Sequence, residues 1–428
     1  MAIAPARQTL AGQPPTGLPV REAEAASRRS RLIPFSAADR AVLWLYLFTR
    51  TGIWVTAYCT GWLFTGDGTS KQAPPLMSRW EQWDWAYFVR IAQYGYFDGP
   101  LGPGSAHPDN REAFFPGFPL LLRAVHAVVR DWTLAGLLIS FVAGGVAVLA
   151  LGRIARLELR DRVPGRVRDG LRDSVREGAG DIEIGPRAVL FLLLSPCAVF
   201  LAVGYSEALF LAFALPAWLA ARKGNWPQAA LLAFFATSVR ISGLFLVAAL
   251  AVQFATAGDL RRRLRSLPWL AVPVLPALGY AWYLQTRTGD WMAWKHAQER
   301  GWYRQFHAPW DAWSNTWDAA FSATYTTGYA LLFRAELVAM VVGVLLLGVL
   351  LIRRRWPEAA YIGLTLWALG TSYWYMSIPR ASLLWWPLWI GLARWSLRRP
   401  WVRTAYICVA APLMTVLAVA FTSGRWAG

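Results

Sequence analysis

The sequence predicts an all-α polytopic membrane protein, a bundle of about ten to twelve transmembrane or re-entrant helices with large external loops. Three observations carry this. Of 428 residues, 56% are hydrophobic and 16% are charged, whereas about a quarter of a soluble domain is charged. Mean hydropathy is positive. Apolar runs near the length of a membrane span recur along the chain, with arginines gathered in short connectors between them.

Residues 1–40 are polar, rich in Pro and Ala, and basic at Arg28, Arg29 and Arg31. They hold no apolar core of signal-peptide type, and they read as a disordered cytoplasmic tail. Residues 41–428 read as a single integral membrane domain. Its apolar segments fall at 41–63, 114–130, 132–154, 188–204, 206–221, 226–239, 241–257, 267–284, 330–352, 357–376, 381–397 and 402–421. Several are short for a full span, which is tolerated where backbone is buried by protein or lines a cavity.

Three polar regions interrupt them: 64–113, the charged loop 156–187 and the Trp-rich 285–329. The net charge of +18 is concentrated in connectors such as Arg261–Arg263, Arg353–Arg355 and Arg398–Arg399, where the positive-inside rule places cytoplasmic loops. No aromatic-basic module accompanies the charge, so a nucleic-acid partner is excluded. This map puts 156–187 inside, and 64–113 and 285–329 outside. It allows one crossing between 113 and 155, where two apolar segments lie. The expectation is that 114–130, broken by Pro116 and Pro119, is re-entrant or in-plane; the alternative is an external 156–187 loop. Cys59, Cys197 and Cys408 lie in apolar segments at no metal or redox spacing.

The run "WEQWDWAYFVRIAQYGY" at 80–96 places Glu81, Asp84 and Arg90 among large aromatic rings. Tryptophan and tyrosine favour the membrane interface. The run reads as a helix on the outer surface, with Trp83, Tyr87, Ile91 and Tyr94 at helical spacing facing lipid or bundle. By position alone Asp84 is equally well a carboxylate capping a helix amino terminus.

Five motifs in order carry a resemblance. "WDWAYFVRIAQYGY", "AFFPGFPLLLR", "SPCAVFLAVGYSEALFLAFAL", "FFATSVRISGL" and "SIPRASLLWWPLWIGLA" span 83–393. Together they resemble bacterial members of the PIG-V-type mannosyltransferase family of the GT-C superfamily. Gln93 and Tyr94 stand where that family carries a Glu-His pair, and Gln82 where an arginine is common.

The resemblance implies an inverting glycosyltransferase in the plasma membrane, acting on its extracytoplasmic face. It implies a polyprenyl-phosphate sugar, with mannose as the expected sugar, as donor substrate, a glycan, lipid or protein as acceptor, and no cofactor. The chemistry needs a base for the acceptor hydroxyl, cations for the leaving phosphate and an apolar groove for the prenyl chain. Asp84 aligns with the family's loop carboxylate and is the candidate base. Glu81 is the reserve, with Asp311 and Asp318 as competitors. Arg240 and Arg380, each at a break between apolar segments, are candidate phosphate ligands, because a charge there needs a partner or a function. The bland alternative is snorkelling to headgroups. Arg90 is a phosphate contact or the partner of a nearby carboxylate. Tyr205, Ser206, Glu207, Trp83 and Tyr87 are candidate substrate contacts. The tryptophans of 285–329 read as an interfacial belt in preference to a sugar-stacking surface. His107, His126, His296 and His307 are dispersed, and no metal site is expected. The competing function is a transporter or flippase of an anionic or lipid-linked substrate, which predicts inverted repeats that the sequence does not display.

Overall fold

The computed structural model describes residues 35–63, 75–99, 109–161, 171–256, 258 and 264–427, with backbone alone over 171–181. The chain divides into a unit over Met1–Ala37, nearly all outside the described residues, and a unit over Ala38–Gly428 that holds everything below. Of the expected tail, 1–34 therefore lies outside the described residues, and the first helix has already begun at Ala37.

Every regular element among the described residues is helical. In order these are α1 (Ala37–Leu63), α2 (Asp84–Tyr94), α3 (Gly117–Val129), α4 (Trp132–Arg160), α5 (Leu171–Leu193), α6 (Ser206–Arg222), α7 (Trp226–Val239) and α8 (Ser242–Thr256). There follow α9 (Leu275–Thr288), α10 (Ala293–Trp302), α11 (Pro309–Phe321), α12 (Thr327–Ile352), α13 (Trp356–Gly370), α14 (Ile378–Ala381), α15 (Trp386–Arg398) and α16 (Trp401–Thr422). Local signals fix many ends. Asp131 accepts from Leu134 N at 2.7 Å to cap α4, and Asn225 accepts from Gln228 N at 3.2 Å to cap α7. Prolines occupy the first turns of α7, α9, α11, α13 and α15, where a missing N–H costs nothing.

Four described segments are long and apolar enough to cross a membrane: Trp132–Arg160, Leu264–Thr288, Thr327–Ile352 and Trp401–Thr422. The segment Leu264–Thr288 is two 3₁₀ turns running into α9. Shorter apolar helices lie beside them, including α3, α7 and α8.

Ion pairs define two ends of the bundle. Glu207 sits in the first turn of α6 and Arg222 in its last, about 22 Å apart along the axis at 1.5 Å per residue. At the Arg222 end, Arg222 reaches Asp161 (2.6 Å), and Glu158 accepts from Arg355 (2.7 Å) and Arg394 (2.9 Å). Asp39 there pairs with Arg156 (2.6 Å) and Arg153 (3.3 Å). The charged connectors thus lock α1, α4, α6, α13 and α15 together. At the Glu207 end lie Asp84, Arg240 and Arg380.

Helix α3 stays at the Glu207 end. It leaves Phe114 and Phe115, which share a cavity wall with Asp84. It then hands over to α4, whose Thr133 hydroxyl donates to Glu81 (2.5 Å). Arg123 midway along it donates to Gln93 O at the close of α2 (2.9 Å). The residues before α3, its middle and the start of α4 thus all contact elements at the Glu207 end.

Two expectations need correction. Residues 156–187 are not chiefly a loop: α4 runs on to Arg160 and α5 begins at Leu171, leaving only 161–170 between them. Of the charges there, Arg156, Glu158 and Asp161 at the close of α4 pair with Asp39, with Arg355 and Arg394, and with Arg222, respectively. The 188–204 segment is not one helix either. Helix α5 stops at Leu193, and a 3₁₀ turn at Ala198–Leu201 leads to Tyr205.

Glu158 is nearly sealed from solvent between two arginines. Glu158→Ala leaves both guanidinium groups without this partner. It is expected to cost about 3 kcal/mol, read as a lower thermal denaturation midpoint of the detergent-purified protein. A cysteine at Arg130 (Arg130→Cys) and one at Glu81 (Glu81→Cys) are expected to react with a membrane-impermeant thiol reagent from the same side of intact cells.

Candidate active site

The site is assembled from four separate stretches of chain. Helix α2 opens on Asp84 after Trp83 takes φ +49°, a left-handed turn that is costly for a tryptophan. The turn is held by Tyr205, whose hydroxyl donates to Gln82 O (2.6 Å) and accepts from Asp84 N (3.1 Å). The inward stripe of α2 is Asp84, Trp85, Phe88, Ile91 and Ala92, whereas Trp83 and Tyr94 are exposed. Of the set at 83, 87, 91 and 94, expected to face lipid or bundle, only Ile91 joins that stripe. The cause is Trp85, which fills a slot floored by Gly136 and Gly204. A Cβ on either glycine would lie 2.5 Å from its indole ring.

Arg380 lies in the short helix α14, oriented by Glu336 of α12. The Glu336 carboxylate accepts from Ser377 N (2.6 Å) and Ile378 N (2.8 Å), holding both donors at the head of that turn. Arg380 then bridges two acids. Its Nη1 donates to Asp84 Oδ2 (2.8 Å) and its Nε to Glu207 Oε1 (2.6 Å). The guanidinium also lies over the rings of Phe200 (4.6 Å) and Tyr205 (4.9 Å). Burial pulls its pKa down, but Glu207 and Asp84 more than offset this, so Arg380 is held above the ordinary arginine value.

Arg240 falls at the break between α7 and α8, with extended backbone. Its Nη1 donates to Glu207 Oε1 (2.6 Å) and Ser206 Oγ (2.8 Å). Asp84 Oδ1 and the rest of the Arg240 guanidinium make no hydrogen bond among the described residues.

A cavity of about 150 Å³ opens onto this network. Asp84, Ser206, Arg240, Arg304 and Arg380 supply its polar wall, and Phe114, Phe115, Trp294, Trp302 and Trp426 its aromatic wall. Such a mix can hold an anion at one side and an apolar or sugar face at the other.

The sequence-predicted residues separate clearly. Asp84, Ser206, Arg240 and Arg380 line the cavity, and Tyr205 and Glu207 support it from behind. Trp83 stacks edge-on against Trp426 (5.1 Å), and Tyr87 stacks on Phe114 (4.9 Å), so both brace the aromatic wall. Arg90 pairs with Asp109 (3.4 Å), the carboxylate alternative. Glu81 is exposed and bonded to Thr133, while Asp311 and Asp318 are exposed on α11; none of the three lines the cavity. His126 stacks on Trp132, His296 bonds Asp290 (2.7 Å), and His107 lies outside the described residues. Among the described residues no cluster of His, Cys, Asp and Glu could hold a metal.

Sequence reasoning missed Arg304, Glu336, Trp294, Trp302 and Trp426. A carboxylate inside the apolar run 330–352 was a legible signal for Glu336. The belt reading of 285–329 needs correction in part, since Trp294 and Trp302 turn inward to the cavity while Trp310 and Trp317 are exposed.

Residues 70–263 match the family described as Mannosyltransferase (PIG-V), in agreement with the motif resemblance. Similar curated proteins are the GPI alpha-1,6-mannosyltransferase 2 of Cricetulus griseus, Homo sapiens and Mus musculus. Identity is 33% over 181 residues, 31% over 179 and 28% over 195. These alignments cover 40%, 40% and 44% of this chain, and only 31%, 31% and 34% of those proteins. The chain thus spans about a third of the length of the curated relatives it matches. The matched range contains Asp84, Glu207 and Arg240; Arg304 and Arg380 lie beyond it, and the fold brings them to the same cavity.

Gly204→Ala is expected to cost about 1–3 kcal/mol by pressing on Trp85. Combining it with Trp85→Ala is expected to cost no more than Trp85→Ala alone, measured as thermal denaturation midpoints in a double-mutant cycle.

Proposed function

We propose that this protein is a membrane mannosyltransferase. It moves mannose from a polyprenyl-phosphate donor to a hydroxyl of an extracytoplasmic glycan, lipid or protein, with inversion at the anomeric carbon. The observation that carries this reading is one cavity lined by a carboxylate with an unbonded oxygen, Asp84, by arginine side chains and by aromatic rings.

The acceptor oxygen attacks the anomeric carbon from the face opposite the phosphate. Its proton passes to Asp84 Oδ1 as the new C–O bond forms. The bond from the anomeric carbon to the phosphate oxygen breaks, and its electron pair leaves on the polyprenyl phosphate. Arg240, whose guanidinium keeps a free edge, brings positive charge to that side, where negative charge grows as the bond breaks, while Arg380 holds Asp84 in place. The relatives' names specify an alpha linkage; a single in-line displacement yields it from a beta-linked donor.

The depth of the site favours a lipid-borne donor. Helices α6, α7, α8, α13 and α15 contain 17, 14, 15, 15 and 13 residues, whereas a full span takes about 20. With the arginine-rich end at the cytoplasmic surface, these helices stop short of the outer surface. Their Glu207, Arg240 and Arg380 junctions are then recessed toward headgroup depth, and the bundle faces the plasma membrane's extracytoplasmic side. A phosphate carried by a prenyl chain lies at that depth.

Transfer from radiolabelled polyprenyl-phosphate mannose into membrane fractions tests the reading. Asp84→Asn, compared at matched amounts of folded protein, is expected to lower it at least about 100-fold, with a lower denaturation midpoint because the buried pair with Arg380 is lost. Full transfer by that variant overturns the assignment of the base. No transfer by the unaltered protein overturns mannose as the sugar.

A further inference from the structure

Three arginines line the cavity, and they are not equivalent. Arg380 is committed at two of its nitrogens, to Asp84 and Glu207. Arg240 is committed at one, to Glu207 and Ser206. Arg304 makes no hydrogen bond and no ion pair among the described residues, and its Nε is shut away from solvent. Buried guanidinium nitrogens without partners are uncommon in folded proteins and call for an explanation.

The fold holds Arg304 in place on both sides. It lies in the connector between α10 and α11, after Tyr303 takes φ +52°. Tyr303 O accepts from Tyr373 N (3.1 Å), and His307 N donates to Thr371 O (2.8 Å). The connector is thus pinned on either side of Arg304 to one short stretch, 371–373, and Asn315 of α11 donates to Tyr373 O in the same stretch (2.8 Å). Ordinary snorkelling does not describe a side chain directed into a cavity from a connector pinned at both flanks. Nor does a nearby acid account for it. Glu336 acts on Arg304 at a distance, but its oxygens are engaged by Ser377 and Ile378 and it is not on the cavity wall. Burial brings the Arg304 pKa down to about 10, still cationic at neutral pH.

We propose that Arg304 is the residue that receives the donor's phosphate, its guanidinium fork taking two phosphate oxygens beside the free edge of Arg240. The inference rests on the transferase reading above, and it assigns the phosphate contact to a residue outside every sequence motif. Arg380, by contrast, is occupied in holding Asp84 and Glu207. A guanidinium presents paired N–H donors that match a phosphate, and a partly buried site strengthens the contact.

Farnesyl phosphate carries the phosphate and a short prenyl chain but no sugar, so it reports binding without turnover. Its affinity for the full-length protein in detergent is to be measured by calorimetry for the unaltered protein, Arg304→Gln and Arg304→Lys. The expected result is a loss of about 30-fold or more for Arg304→Gln and a smaller loss for Arg304→Lys, which keeps the charge without the fork. In the transfer assay, Arg304→Gln is expected to raise the donor KM and leave the acceptor KM unchanged. Farnesyl phosphate bound equally by all three proteins overturns the proposal, as does its failure to bind the unaltered protein. If Arg304→Gln does not fold, Arg304→Lys decides: unaltered affinity and unaltered donor KM overturn the assignment. Binding that depends on Arg304 without any mannose transfer supports the phosphate site and overturns the donor sugar alone.

Discussion

The site depends on one guanidinium. Arg380 joins Asp84 at the head of α2 to Glu207 at the head of α6, two elements separated by more than a hundred residues of sequence. All three side chains are buried, so each charge is tolerable only because the others are present. This sets which way the carboxylates point: Glu207 is turned to its two arginines, and Asp84 gives Oδ2 to Arg380 and keeps Oδ1 for the cavity. The parts around the bridge serve to place it. Tyr205 ties the turn before Asp84 and lays its ring against Arg380, and Glu336 fixes the backbone that carries Arg380.

The far end of the bundle supplies the counterweight. The buried acids Glu158 and Asp39, with the exposed Asp161, pair with arginines from several helices and from the connector before α13, and so tie the helices together at one end. Helices fixed there carry Glu207, Arg240 and Arg380 at or beside their opposite ends, where the cavity lies.

The aromatic raft at 80–96 has a mechanical reason beyond affinity for the interface. Trp85 is a peg set between two glycines, Phe88 packs against Phe114, Phe118 and Tyr205, and Tyr87 steadies the outer wall. Such packing permits the left-handed turn at Trp83 and the burial of an acid at the start of a helix. The acid is carried inward by neighbours on the same helical stripe, and the stripe shares only Ile91 with the set at 83, 87, 91 and 94.

By itself the sequence determined the helical class, many segment positions and the breaks that carry Arg240 and Arg380, because apolar periodicity, proline and isolated charges act locally; the end of α5 at Leu193 was not among them. Helix α7 occupies the 226–239 expected of it. Asp84, Ser206, Glu207, Arg240 and Arg380 were all legible, as charged or polar groups at junctions where burial demands a reason. Tertiary structure alone decided which of them meet. Glu81 and Asp84 are three residues apart and look alike in sequence, yet one faces Thr133 at the surface and the other faces the cavity. Arg304 carries no local mark, because its significance is the absence of a partner among the described residues. Whether an ionic group is paired is a property of the surfaces folded around it, and residue order does not encode it locally.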